Sequence, residues 1–286
     1  MVASGTFGPE YSAFFNINKL GAYIAKTVTL NARTGNPPPR IAETPSGMLN
    51  AIGLENTGVL DFIKNKLPKL QGITIPIIAS IAGNDAREFK ELAASLSKVK
   101  KIAGLEVNLS CPNVKHGKRD FLIAQDERAT YEIIRAIRKA TSLTIIAKLS
   151  PNVTDITKIA QAAESAGANA VSLVNTFIGM AVDIETKKPI LGNVTGGLSG
   201  PAIKPIALRM VRDVYKKVKI PVVGIGGIMD YKDAAEFILC GATAIQVGTA
   251  NFVNPSAPAD ILEGLKDYII KNKIKDINYL IGALKV

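Results

Sequence analysis

Sulfur and imidazole are scarce in this chain. Its 286 residues hold two cysteines, Cys111 and Cys240, and one histidine, His116. Two cysteines cannot build a disulfide framework. With a single histidine they cannot supply a four-ligand zinc or iron–sulfur site either, so no metal is expected within the chain. Long apolar runs are missing too. The longest reach about eight residues, where a membrane span needs roughly 20. Met1–Glu10 has neither the basic start nor the apolar stretch of a secretory leader, and the chain is expected to be cytoplasmic. Acidic residues are the minority, 24 against 35 basic, for a net charge of +11. That excess suits an anionic substrate, an acidic partner or nucleic acid. The densest groups, Lys98–Lys101 and Lys216–Lys219, fall near the ends of predicted helices, where cations are favoured by the dipole. They are read as solvated surface, and no nucleic-acid partner is expected.

What is present is alternation. Strands are predicted at Gly21–Lys26, Gly47–Asn50, Ile75–Ile81, Gly104–Asn108, Thr144–Leu149, Ala170–Val174, Pro221–Ile225 and Ala244–Val247. Several are continuous apolar runs, as parallel strands buried on both faces require. Stretches of helical period lie between them, for example Asp85–Lys98, Glu127–Thr141 and Asp155–Ala166. Asp85 and Asp155 are predicted N-caps, and Gly167 and Gly241 predicted stops. Eight strands alternating with helices predict an α/β fold, a (β/α)8 or TIM barrel, as one domain over residues 1–286. A doubly wound open sheet would carry its glycine fingerprint after the first strand; here the glycine-rich segments come late. Two connections exceed what a barrel needs, 111–125 and 176–201. Both follow strands and so belong at the C-terminal mouth. The second contains a predicted hairpin, Ala181–Asp183 with Pro189–Leu191.

The late glycines, Gly224 with Gly226 and Gly227, then Gly248-Thr249, follow consecutive strands. Glycine after a strand is otherwise only a turn, but paired loops at this place in a barrel let backbone N–H groups approach a phosphate. Polar residues close other strands: Lys26, Asn50, Asn108, Lys148 and Asn175-Thr176. Lys148 is embedded in Ile145-Ile-Ala-Lys-Leu149, where an unpaired charge is costly, which argues for a function. Cys240 follows Phe237-Ile-Leu and is read as a small core hydrophobe. Cys111 instead begins a long mouth loop and is followed by Lys115, His116, Lys118 and Arg119. Those cations favour a thiolate, which marks Cys111 as catalytic. His116, with no orienting partner evident, is read as a loop residue.

These segments resemble a known family. Asn108-Leu-Ser-Cys-Pro-Asn113 is similar to the active-site loop of the soluble, class 1 dihydroorotate dehydrogenases. So are Asn50-Ala-Ile-Gly-Leu54, Ile146-Ala-Lys-Leu-Ser-Pro-Asn152, Val174-Asn-Thr176 and Gly224-Ile-Gly-Gly-Ile228. The run Asn193–Pro205 looks like the B subclass. The likeness extends in order from about Ser4 to Phe252. The membrane-associated class 2 enzymes resemble the chain less, since they use serine where Cys111 stands and carry an N-terminal extension.

The resemblance implies an FMN enzyme that oxidises (S)-dihydroorotate to orotate in pyrimidine biosynthesis. By position, Cys111 takes the C5 proton while the C6 hydride passes to flavin N5. Lys148 faces the flavin N1–C2=O edge. Ser4, Lys26, Thr27, Asn108, Val174, Gly200, Gly226, Gly227, Gly248 and Thr249 match FMN contacts. Lys26, Asn50, Ala51, Ile52, Gly53, Leu54, Asn108, Asn175 and Thr176 match substrate contacts. Position 80 departs from the pattern: asparagine is expected as an FMN contact, and Ser80 has a shorter reach. The B subclass further implies a homodimer joined by a subunit carrying FAD and an iron–sulfur cluster, with NAD as acceptor. The A subclass passes electrons to fumarate without such a subunit. Two other readings stand beside this one. A tRNA dihydrouridine synthase would share the flavin barrel and suit the charge, though the stretch after Phe252 is short for an added RNA-binding domain. An inactive barrel scaffold would have no use for Lys26, Cys111 and Lys148 together.

Overall fold

The computed structural model describes residues 1–109 and 123–285. In chain order its first strands are β1 (Tyr23–Ile24), β2 (Ile41–Thr44), β3 (Gly47–Asn50), β4 (Ile77–Ile81), β5 (Ile102–Asn108), β6 (Thr144–Lys148) and β7 (Ala170–Leu173). Then come β8 (Phe177–Met180), β9 (Val182–Asp183), β10 (Lys188–Pro189), β11 (Thr195–Ser199), β12 (Val222–Ile225) and β13 (Ala244–Gln246). The α-helices are α1 (Val59–Asp61), α2 (Ala86–Ser97), α3 (Glu127–Ala140), α4 (Ile156–Ser165), α5 (Lys204–Tyr215), α6 (Tyr231–Leu239), α7 (Ala250–Val253) and α8 (Ala257–Lys271).

Seven strands form one parallel sheet in the order β1-β4-β5-β6-β7-β12-β13. Strands β4, β6, β7 and β12 are buried along nearly their whole length, as expected where both faces are covered. Helices α2 to α6 pack outside, each turning an apolar stripe inward; α2, for instance, buries Phe89, Leu92, Ala93 and Leu96. Asp85 and Asp155 cap their helices by accepting from Glu88 N and Thr157 N, as predicted. Gly167 and Gly241 stand at φ +102° and +113°, the left-handed geometry of a helix stop.

The sheet is strongly curled. Strands β5 and β13 are four steps apart, about 19 Å in a flat sheet. Yet Gln246 Nε2 on β13 donates to Glu106 Oε2 on β5 at 2.6 Å. The inside of the curl is layered. Ala22, Ile24, Ile78, Ile146 and Ala170 form an apolar cluster of their own. Two residues further along the same strands, on the same face by the pleat, stand Ser80, Lys148 and Ser172. The first residues of the chain extend one edge: Val2 bridges Val247 in parallel, beyond β13.

One predicted strand is corrected. Gly47–Asn50 (β3) does not join the parallel sheet; it pairs antiparallel with β2 and β11 in a second sheet ordered β2-β3-β11-β8. Only Leu49 of its four residues is buried, so it covers one face rather than being enclosed on both. The 176–201 connection is correspondingly ordered: it supplies β8 and β11, and between them the hairpin β9–β10, with Asp183 opposite Lys188. Among the described residues, no helix is long and apolar enough to cross a membrane.

Candidate active site

The polar residues singled out in the sequence gather where the parallel strands end. Asn108, the last residue of β5, is in register with Lys148, the last of β6, and Lys148 with Ser172 on β7. Asn175 Nδ2 reaches Asn108 Oδ1 at 3.4 Å, while Asn175 Oδ1 accepts from Thr176 N at 2.8 Å. Asn152 secures this corner. Its Nδ2 donates to Thr176 O at 3.0 Å, and its Oδ1 accepts from Ile178 N at 3.0 Å.

The glycines meet on the other side of the mouth. Gly226 (φ +125°), Gly227 (φ +73°) and Gly200 (φ +95°) hold backbone shapes that side chains resist. A Cβ on Gly227 would lie 2.8 Å from Gly200 O, and one on Gly200 would lie 3.4 Å from Thr249 Cγ2. Thr249 Oγ1 bonds Ser199 Oγ at 2.8 Å. Val174 neighbours Gly226, at 3.4 Å from a Cβ there. Gly248 is different: a Cβ would meet only Ala3 Cβ at 3.5 Å and Thr6 Cγ2 at 4.0 Å among the described residues. No described neighbour demands a glycine there. Lys204 packs its Cβ under Gly227, but its ammonium is engaged by Asp233 at 2.6 Å and Glu236 at 3.0 Å. With that ammonium engaged, the polar groups left at these loops among the described residues are backbone amides and the Thr249–Ser199 hydroxyl pair.

A line of hydroxyls closes the ring. Ser4 Oγ contacts Thr27 Oγ1 at 2.8 Å, and Thr27 Oγ1 contacts Ser80 Oγ at 2.8 Å. Thr27 and Ser80 are buried, Ser80 almost completely. The departure at position 80 thus has a geometric consequence: the short hydroxyl is engaged by Thr27. Next to Thr27, Lys26 is open to solvent, with Gly5 at its ammonium: a Cβ there would lie 3.7 Å from Nζ. The surrounding protein nonetheless lowers the Lys26 pKa by desolvation, and Glu55 partly opposes the fall.

The Asn50–Leu54 segment arrives from β3. Asn50 Nδ2 contacts Gly197 O at 3.4 Å. Ala51 O and Ile52 O accept from Asn36, and Gly53 (φ +73°) and Leu54 (φ +57°) turn the chain away. Cys111 and His116 lie outside the described residues, as does the 111–122 part of the predicted mouth loop.

The model of the family described as dihydroorotate dehydrogenase matches residues 1–269. The chain belongs to that family. It is 53% identical over 288 residues to the catalytic subunit of dihydroorotate dehydrogenase B (NAD(+)) of Geotalea daltonii, covering 100% of this chain and 94% of the relative. The like-named subunit of Trichlorobacter lovleyi is 54% identical over 287 residues, with the same coverage. That of Desulforamulus reducens is 52% identical over 283 residues, 98% of this chain and 92% of the relative.

The family frame also makes visible what sequence reasoning missed. Lys148 is not an isolated buried cation. Its Nζ lies 3.5 Å from Glu106 Oε1, and Glu106 is wholly buried. Ser172 Oγ and Gln246 Nε2 both donate to Glu106 Oε2, at 3.3 and 2.6 Å. The signal was present in Leu105-Glu106-Val107-Asn108, where an acid stands two residues before Asn108 and so on the same strand face. Cys240, by contrast, is as read. It caps α6 partly buried, and burial pushes its thiol pKa up, with Arg212 opposing, so it is not primed as a nucleophile.

Proposed function

We propose that this chain is the FMN-binding catalytic subunit of a dihydroorotate dehydrogenase of the B type, converting (S)-dihydroorotate to orotate for pyrimidine biosynthesis. The observation that carries the reading is the ring itself. Ser80, Asn108, Lys148, Val174, Asn175, Gly226, Gly227, Gly248 and Thr249 stand at or just past the strand ends of one curled parallel sheet, with Thr27 and Ser4 bonded in a line from Ser80 and Gly200, after β11, beside Gly227 and Thr249. The curl supports a closed (β/α)8 barrel, with residues 1–3 as the stave between β13 and β1.

The residues suit FMN. Gly248 leaves room that no described side chain uses, and the left-handed glycines 200, 226 and 227 bare their backbone beside it. Gly226, Gly227, Gly248 and Thr249 would hold the phosphate, with Gly200, Val174, Ser4, Thr27 and Asn108 along the rest of the cofactor. Bound there, FMN supplies the acceptor for the substrate hydride. The chain's own work is proton transfer, orientation and charge. Cys111 takes the proton from C5 of dihydroorotate. Asn108, Asn175, Thr176 and the Asn50–Leu54 segment hold the planar ring, since asparagine both donates and accepts. Lys26 pairs with the substrate carboxylate. Lys148 keeps a positive charge at the flavin edge, in place before reaction and so at no cost of reorganisation.

Electrons leave through a second protein. The relatives are named as catalytic subunits of an NAD(+)-linked enzyme, and two cysteines cannot ligate a cluster. The partner is a subunit carrying FAD and an iron–sulfur cluster, attached to a homodimer of this chain.

The test is direct. The purified chain should be yellow, and anaerobic dihydroorotate should bleach it. A flavin untouched by dihydroorotate overturns the assignment, and rapid fumarate reduction by the chain alone overturns the partner. Lys26 gives a pH prediction. Only its ammonium pairs with a carboxylate, and desolvation lowers its pKa. Orotate affinity should therefore weaken as pH rises through a value below the ordinary lysine range. Titrating orotate against the flavin absorbance across alkaline pH checks this, and Lys26→Met should abolish the dependence.

A further inference from the structure

Inside the curl, below the mouth, lies a polar cluster that the chemistry above leaves unused. Glu106 is wholly buried, as are Ser172 and Gln246. Burying a carboxylate in the middle of a barrel is costly unless it is paired and hydrogen-bonded. Here it is both. Oε2 is held from two sides, by Gln246 Nε2 at 2.6 Å and Ser172 Oγ at 3.3 Å. Oε1 is left toward Lys148 Nζ at 3.5 Å. The clamp draws on strands β5, β7 and β13, so it is tied to the closure of the sheet and not to one loop. Lysine is a point charge on a flexible four-carbon stem. A group meant to stand at one place under a cofactor needs something to fix that end. Glu106 is the acid in reach, and its own rotation is blocked.

We propose that Glu106 is the positioning residue of Lys148: a clamped carboxylate beneath the mouth that fixes where the ammonium stands and so where positive charge meets the cofactor. This rests on the flavin reading of the mouth. Asn108, two residues on, faces the mouth directly; Glu106, one layer lower, acts through Lys148.

A residue that works only through another has a specific signature: its substitution does nothing once the other is gone. Glu106→Gln preserves size and can keep bonds to Gln246 and Ser172, but removes the charge. It is expected to weaken FMN binding on the order of tenfold, the worth of one charge-assisted hydrogen bond. It should also slow flavin reduction at saturating dihydroorotate without raising the concentration needed for half-saturation. In a Lys148→Met background the same change should leave FMN affinity and reduction unaltered. Melting of the flavin-free protein supplies a readout that needs no cofactor. Each single variant removes one half of the buried Glu106–Lys148 pair and should melt lower than wild type, and the double variant Glu106→Gln/Lys148→Met should melt above both singles.

If Glu106→Gln does not fold, the double variant still decides. It should fold and bind FMN as Lys148→Met does. Three results overturn the proposal: independent multiplicative losses in the double variant, no loss in Glu106→Gln, or a double variant that melts below Lys148→Met. A wild-type chain that takes up no FMN overturns the flavin reading instead, and the melting comparison then judges the Glu106–Lys148 coupling alone.

Discussion

Cys111→Ala should retain its flavin and bind orotate, yet be reduced by dihydroorotate roughly 10²- to 10⁴-fold more slowly, the usual contribution of a positioned base. The expectation follows from the division of labour around the mouth. Orotate is the oxidised product and calls for no proton transfer at C5, so on the proposed assignment its affinity depends on the asparagines and Lys26, which this variant leaves intact. Dihydroorotate must lose a proton and a hydride from adjacent carbons. Lys148 is held by Glu106 at 3.5 Å, and Lys26 is assigned to the carboxylate. Neither is free to serve as the base. Asn108 and Asn175 contact each other at 3.4 Å and carry amides that do not titrate. Among the residues assigned to the substrate, Cys111 carries the most acidic side chain whose deprotonated form can take the proton. Anaerobic stopped-flow reduction measures the loss, and orotate titration of the same sample controls for the site. An unchanged rate removes Cys111 from the mechanism. A loss matched by weaker orotate binding assigns it to holding the ring.

How far this site could be read without coordinates depended on how local its causes are. The six parallel strands from Ile75–Ile81 to Ala244–Val247 and Gly21–Lys26 announced themselves by apolar runs or polar ends, and the caps at Asp85 and Asp155 by one residue each. Strand β3 did not, because Gly47–Asn50 is compatible with either sheet. Its partner β11 lies about 150 residues downstream, where only tertiary pairing decides. Glu106 was overlooked for a related reason. Its partners Ser172 and Gln246 are 66 and 140 residues away, so its purpose appears only once the sheet curls. The hydroxyl line is the third case. The sequence marks Ser80 as an FMN contact of shorter reach; the structure adds that its oxygen bonds Thr27, which in turn bonds Ser4. A motif comparison registers a replaced side chain but not the neighbour that engages its replacement.

The two glycine loops give the second large effect, and they should respond in opposite ways. Gly227→Ala places a methyl 2.7 Å from Lys204 Cβ and 2.8 Å from Gly200 O, on a backbone at φ +73°. The left-handed backbone alone costs about 1–2 kcal/mol, and the contacts add to it. The flavin-free protein should therefore melt several degrees lower. Gly248→Ala meets nothing closer than 3.5 Å and has no such backbone penalty. Its melting without flavin should be unchanged. Its FMN affinity, however, should fall on the order of tenfold to a hundredfold, because a methyl that blocks close approach forfeits one or two charge-assisted hydrogen bonds to phosphate. Riboflavin, which lacks the phosphate, should bind wild type and Gly248→Ala alike. Differential scanning fluorimetry and flavin titration separate the two variants. Equal FMN affinity in wild type and Gly248→Ala would move the phosphate away from the loop after β13. Loss of riboflavin binding as well would put the ring system, rather than the phosphate, against Gly248.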